Sequence, residues 1–498
     1  MARTLDGSTA SVPEMLEGLL AIAHLSDTHV MDAQSPARVE YLDRYLHPDV
    51  ALPPAGGDEG RTYRPQELLT TQVLDAMARA INETRRGPLS QRPLDTLLVT
   101  GDATDSAQAN ELDWLCRVLD GGRVQPDSGD LSRYEGVGSP DWPDPAYWHP
   151  EGEQADVART RHGFPLAPGL LDAARRPFDA SGVGLPWLAV YGNHDGLVQG
   201  TLEVSSATSD HAVGSIKAVT PPPETDPRAA RDLLDGILDE RTLAIVAGAQ
   251  TRHVTPDPAR AHLTRAEHVA WHLDHGGHGF TRENLERGTA YYRRDLGDVT
   301  LLVLDTVNEH GGWQGSIDVD QAQWLRGELD AADDEGRPVL LASHHTAADL
   351  VNDQRPEGAA RRVLRDEVLD ELHRHPCVLA WLDGHTHTTR IIAHPGPSGG
   401  FWEITAPSLI DWPQQGRIVE LLRTHDGYAL ACTMLDHAAP ARWDPLLPGP
   451  GDLAALSREL AANSWAAPPW TQGPDTHPRR GRPEDRNALL LLPRSPGG

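Results

Sequence analysis

Leu185-Pro186-Trp187-Leu188-Ala189-Val190-Tyr191-Gly192-Asn193-His194-Asp195 reads as a buried strand that ends abruptly in an amide, an imidazole and a carboxylate. Open α/β folds place their ligands in the crevice beyond such strand ends. Asn193 offers a metal a neutral oxygen, His194 a proton, and Asp195 a carboxylate that holds the imidazole in one tautomer. A Gly-Asn turn alone says little, so the reading depends on partners elsewhere in the chain.

Four other apolar runs of strand length end in the same way. Leu19 to Ser26 leads to Asp27-Thr28-His29, and Asp95 to Thr100 leads to Gly101-Asp102-Ala103-Thr104-Asp105. Pro338 to Ser343 delivers His344-His345, and Cys377 to Leu382 delivers Asp383-Gly384-His385-Thr386-His387. Alternation along a strand turns residues i and i+2 to one side, so Asp27 with His29, and His385 with His387, each form a pincer. The donors are imidazole, carboxylate and amide, a set suited to Mn, Fe, Co or Zn and not to a structural thiolate cage. They are too many for one ion and enough for two. Two ions about 3.5–4 Å apart clamp the attacking and leaving oxygens of a phosphoryl group and lower the pKa of a bridging water. The donor set therefore points to metal-assisted phosphoester hydrolysis.

In this order, Asp27-x-His29, Gly101-Asp102, Gly192-Asn193-His194-Asp195, His344 and Gly384-His385-Thr386-His387 resemble the five blocks of the calcineurin-like metallophosphoesterases. The resemblance brackets residues 20 to 390 and implies a four-layer αββα sandwich. It implies one metal held by Asp27, His29 and His387 and another by Asn193, His344 and His385, with Asp102 bridging both. His194 is then the outer group that steadies the phosphate or protonates the leaving oxygen, with Asp195 orienting it. The family's fourth block reads His-x-Pro or His-His-Pro, whereas this chain has His344-His345-Thr346; His344 is taken as the ligand and His345 as its substitute. The purple acid phosphatase branch has a tyrosine where Asp105 stands, so an iron–tyrosinate site is not expected. The Gly-Asp-x-x-Asp form is closer to bacterial cyclic-nucleotide phosphodiesterase-like members, which tilts the expected reaction toward diesters without excluding monoesters. The expected cofactors are two metal ions, of Mn, Fe or Zn.

Composition sets the frame. The 498 residues are 39% hydrophobic and 23% charged, a globular balance. A formal charge of −29 leaves no basic footprint for nucleic acid, which disfavours a nuclease, and a small-molecule phosphoester is the expected substrate. No signal peptide or membrane-spanning run is visible, so a cytoplasmic protein is expected. Cys116, Cys377 and Cys432 are odd in number and far apart, arguing against a disulfide framework or a thiolate metal site. One phosphoesterase domain is expected over 18–435, with insertions at about 120–180 and 196–287 and a Pro-rich tail over 436–498. Helical periods are read over 65–84, 319–333, 359–374 and 452–463.

Two further groups invite a reading. His272, His275 and His278 have the three-residue spacing of a helix face, but Gly276-Gly277 breaks it, so solvated loop histidines are expected over a third metal site or a substrate-contacting rim. Arg390 either meets a phosphate oxygen through its fork or lies at a sheet edge. The competing reading of the whole is a metal-binding scaffold without turnover.

Overall fold

In the computed structural model, which describes residues 2–14, 17–45, 62–153, 156–397, 399–464 and 478–493, the apolar runs form two mixed sheets in an α/β arrangement. The first sheet is built on three parallel strands, β3 (Glu17–Leu25), β4 (Thr96–Val99) and β5 (Trp187–Ala189). It is extended on the other side of β3 by β12 (Gln415–Thr424) and β13 (Gly427–Asp436), and then by β14 (Ala488–Pro493), β1 (Ala2–Arg3) and β2 (Thr9–Ala10). The second sheet begins with the hairpin β6 (Tyr292–Leu296) and β7 (Val299–Val303), turning at Gly297-Asp298. β8 (Val339–Ala342), β9 (Val378–Asp383) and β11 (Gly399–Thr405) follow in parallel, and β10 (Arg390–Gly396) closes the edge antiparallel to β11.

Strand alternation decides what each face meets. In the second sheet Leu301, Val303, Leu340, Ala342, Trp402 and Ile404 join the core that contains the first sheet. Their neighbours Leu302, Leu304, Leu341, Trp381 and Phe401 face a separate cluster with Leu325 and Leu329 of α4 (Val319–Glu335) and Val368 and Leu372 of α5 (Arg365–Leu372). The shared core also takes in Val73, Met77 and Ile81 of α1 (Thr70–Thr84), and Leu112, Leu115 and Leu119 of α2 (Ala109–Asp120). The parallel strands are thus apolar on both faces, as their unbroken runs require.

The 196–287 insertion carries several short helices, among them α3 (Arg265–Asp274), which packs Val269 into the main core. The stretch after residue 436 carries the helix read over 452–463 and, in addition, a strand. Its α6 (Pro450–Asn463) lies along α1, and β14 pairs with β13 and β1 as an internal strand. The Pro-rich composition hides the run Ala488-Leu489-Leu490-Leu491-Leu492, which is apolar enough to compete for a place in the sheet. Residues 46–61, and 465–477 and 494–498 of the expected tail, lie outside the described residues. Arg390 is exposed at the start of edge strand β10. Among the described residues no helix is long and apolar enough to cross a membrane.

Buried histidines outside the donor sets carry a pH dependence. Burial lowers His24 and His437 to about 3 and His262 to about 4, below the 6.5 of an unfolded chain. Their folded pKa values are depressed, so the unfolded chain binds more protons as the pH falls below 6.5, and stability present at neutral pH is lost. Each contributes at most about 1.4 kcal/mol per pH unit in that window. Denaturant midpoints measured at pH 7, 6 and 5 are expected to fall steeply, and His262→Gln to flatten the slope by one proton. A midpoint constant from pH 7 to 5 contradicts the assignment.

Candidate metal centre

The C-terminal ends of β3, β4, β5, β8 and β9 bring the five sequence blocks to one crevice. Backbone hydrogen bonds knit the loops together: Asp27 N–H to Gly101 O (3.1 Å), His29 N–H to Asp102 O (3.0 Å) and Gly384 N–H to His344 O (3.0 Å). Asp27, His29, Asp102, His385 and His387 all have φ between 42° and 67°. Non-glycine residues rarely take this left-handed form, and five together mark a site where surrounding structure holds strained backbone in place. Gly384 is required beside them, since any Cβ there would run into Ser26 and the Asp27 carboxylate.

The donor atoms converge in two overlapping sets. Asp27, His29 and His387 each offer one donor atom, all within 4.8 Å of one another, and so do Asp27, Asp102 and His344. His29 Nε2 lies 3.3 Å from His387 Nε2, and His387 Nε2 lies 3.2 Å from Asp27 Oδ1. Asp102 Oδ2 is 3.1 Å from His344 Nε2 and 3.8 Å from His29 Nε2, between the two sets. His385 Nδ1 is 3.1 Å from His344 Nε2. Adjacent donors about 2.1 Å from a shared ion are spaced about 3.0–3.4 Å apart.

Two buried acceptors test the fit. Asn193 Oδ1 has no hydrogen-bond partner, although Asn193 Nδ2 donates to Gly200 O (3.0 Å). Asp27 Oδ1 lies against the donor imidazole of His387 (3.2 Å), while its Oδ2 accepts from His385 N–H (3.0 Å). An unpaired buried oxygen is costly, and a cation removes the cost. The charges agree. Burial opposes ionisation of both Asp102 and His344, but their pairing outweighs it, holding Asp102 well below the usual carboxylate range and lifting His344 to about 9. That is the charge balance of a cation site filled by a proton. Burial keeps His29 (lowered to about 4), His385 and His387 neutral, the form that ligates metal. The residues present fit a pair of metal ions.

Three of the four donor imidazoles are fixed from behind. His29 Nδ1 is 3.0 Å from Asp105 Oδ1, His387 Nδ1 is 2.6 Å from Asp411 Oδ2, and His344 Nδ1 is 2.8 Å from the Thr100 carbonyl. Asp105 is itself paired with buried Arg38, which outweighs the burial penalty and keeps the carboxylate ionised. Asp411 is held by Arg64 (2.9 Å) and Arg479. Such outer partners set tautomer and ring orientation. The sequence showed Asp105 only as part of a motif form. Asp411 and Arg38 sit in loops with no pattern of their own, and only the fold brings them here.

His344 and His345 separate clearly. His345 lies in a donor cluster with His344 and His385, but its Nδ1 is 2.7 Å from Thr306 Oγ1 and its Nε2 is 2.9 Å from the Trp313 carbonyl, so both nitrogens are engaged. Asp195 corrects the expectation that it orients His194. Its carboxylate accepts from Gly192 N–H (2.9 Å), Thr104 N–H (2.9 Å) and Thr104 Oγ1 (2.9 Å), pinning two ligand loops together. His194 is instead oriented by the Asp105 carbonyl, 2.6 Å from its Nδ1. The expected solvated histidines also need correction: His275 is exposed, but His272 and His278 are buried, because the glycine turn folds His278 back onto Trp187.

Removing the carboxylate behind a ligand imidazole is expected to weaken metal binding by about 10- to 100-fold. Asp411→Asn checks this by chelator-competition titration, and wild-type affinity in the variant removes Asp411 from the centre.

No protein-family model and no curated relative matches the chain. Among solved structures it is similar to a dimetal phosphatase from Danio rerio, at 12% identity and a TM-score of 0.39 over 84% of this chain and 97% of that one. It is also similar to the calcineurin-like phosphoesterase YfkN from Bacillus subtilis, at 12% identity and a TM-score of 0.28 over 85% and 92%.

Proposed function

We propose that this chain is a calcineurin-like, dinuclear metal-dependent phosphoesterase. The observation that carries the reading is the convergence of donor atoms from Asp27, His29, Asp102, His344, His385 and His387 in overlapping sets, together with a buried Asn193 Oδ1 that has no hydrogen-bond partner. Asp27, His29 and His387 are the residues to hold one ion, and Asn193, His344 and His385 the other, with Asp102 between them. When bound, two such ions supply Lewis-acid polarisation of a phosphoryl oxygen and hydroxide at neutral pH.

The chain's own groups do the rest. Asp105 and Asp411 hold His29 and His387 with Nε2 facing the centre. His194, with Nδ1 committed to the Asp105 carbonyl, keeps Nε2 for a phosphate oxygen or the leaving group. Asp195 keeps the Gly192 and Thr104 loops in register and acts on the reaction only through them.

The reaction is phosphoester hydrolysis, with the diester favoured by the Gly-Asp-x-x-Asp form and the scaffold reading disfavoured by a complete donor set. Hydrolysis of an aryl phosphodiester and its matching monoester by Mn²⁺-reconstituted protein, with a chelator control, tests it. Chelator-sensitive diester cleavage supports the reading. Two bound metals with no turnover on either ester favour the scaffold.

A further inference from the structure

A second cluster forms at the opposite end of β5, where the 196–287 insertion meets the core. Cys116 and Asp120 come from α2, His268 and His272 from α3, and His278 from the glycine turn that follows. The three cysteines argue against a thiolate site by their spacing, yet the fold brings Cys116 to two imidazoles. Cys116, His272 and His278 are all buried, and one donor atom from each lies within 4.8 Å of the others. The imidazoles face each other through Nδ1, 2.9 Å apart.

Their outer nitrogens are already served. His272 Nε2 is 3.1 Å from His268 Nε2, and His278 Nε2 is 3.3 Å from Asp120 Oδ1. Asp120 is held in turn by the Trp187 indole N–H (2.7 Å), and Trp187 stacks on His278 at 3.6 Å. Trp271 Nε1 is a buried donor set against Cys116, where its N–H favours the thiolate.

We propose that Cys116, His272 and His278 bind a further metal ion, a borderline transition metal such as zinc, which pins the insertion to the core. One thiolate and two imidazoles select such an ion over Mn²⁺ or Mg²⁺. A carboxylate behind a ligand imidazole, here Asp120 behind His278, is the usual outer arrangement. Burial holds the Cys116 thiol protonated when no metal is bound, so ligation exchanges the sulfur–hydrogen bond for a sulfur–metal bond and releases one proton per ion. Both imidazoles coordinate as neutral rings through Nδ1. His278 keeps the Nε2 proton that it gives to Asp120, whereas the His272 proton moves from Nδ1 to Nε2, to be accepted by His268 Nε2, whose own proton moves to Nδ1. The same geometry without metal is a hydrogen-bond chain from His268 through His272 and His278 to Asp120.

Cobalt loading of the full-length protein separates the two. A thiolate ligand gives near-ultraviolet sulfur-to-cobalt charge-transfer absorption, and the strand-end centre has no sulfur among its donors. The band is expected in the wild type and in Asp102→Asn, whatever the outcome of the activity assays. It is expected to vanish in Cys116→Ser, with loss of one ion per chain, unchanged kcat on phosphoesters and a smaller zinc-induced rise in Tm. His278→Gln, which keeps the thiol, is expected to weaken or shift the band and covers the case of a misfolded serine variant. A cobalt-loaded wild type without the band overturns the proposal, as does equal metal content in wild type and Cys116→Ser.

Discussion

Asp102→Asn is expected to lower kcat on phosphoesters by on the order of 10³-fold, a loss of about 4 kcal/mol, and to reduce bound metal. Asp102 stands between the two donor sets, with Oδ2 3.1 Å from His344 Nε2 and 3.8 Å from His29 Nε2. Its other oxygen is committed to the His194 backbone N–H at 2.8 Å, so the carboxylate has one fixed orientation. Asparagine is nearly isosteric and can keep that bond through its carbonyl, but it then presents an amide N–H₂ to His344 Nε2. One negative charge is lost where His344 is otherwise lifted to about 9. Metal analysis and kcat on the same preparation check the result. Full activity with full metal content removes Asp102 from the bridging position.

The strand ends were legible because a doubly buried parallel strand writes itself as an unbroken apolar run, and the residues after it are polar for one reason. Leu19 to Ser26 and Pro338 to Ser343 announce Asp27, His29 and His344 in this way. The outer partners were not. Asp411 lies between Ile410 and Trp412 in a loop, and nothing local distinguishes it from a solvated aspartate; its role depends on a 2.6 Å approach to His387 across 24 residues. Asp195 was misread because adjacency to His194 suggested contact. In the four-residue helical turn from Asn193 to Gly196 neighbouring side chains diverge, and Asp195 turns to its own N-terminal loop. The buried cluster of Cys116, His272 and His278 was hidden for the opposite reason, since its residues belong to segments more than 150 positions apart.

His194→Gln is expected to separate substrates by their leaving groups. Its imidazole stands 4.7 Å from His29, centroid to centroid and edge-on, beside the donor sets. With a side-chain exposure of 24% it is more open than His29 (2%), His344 (0%) or His387 (12%), as a group that meets substrate must be. Donation from Nδ1–H to the Asp105 carbonyl leaves Nε2 as the nitrogen available to substrate. A positioned acid contributes about 10²- to 10⁴-fold when the leaving oxygen is strongly basic, and little when it leaves readily as an anion. The variant is therefore expected to lose about that factor on an alkyl phosphoester and far less on a nitrophenyl ester of the same class, with metal content unchanged. An equal loss on both assigns His194 to steadying the phosphate oxygens, because that contribution does not depend on the leaving group's basicity. Loss of metal in the variant rejects both roles and places His194 among the groups that build the centre.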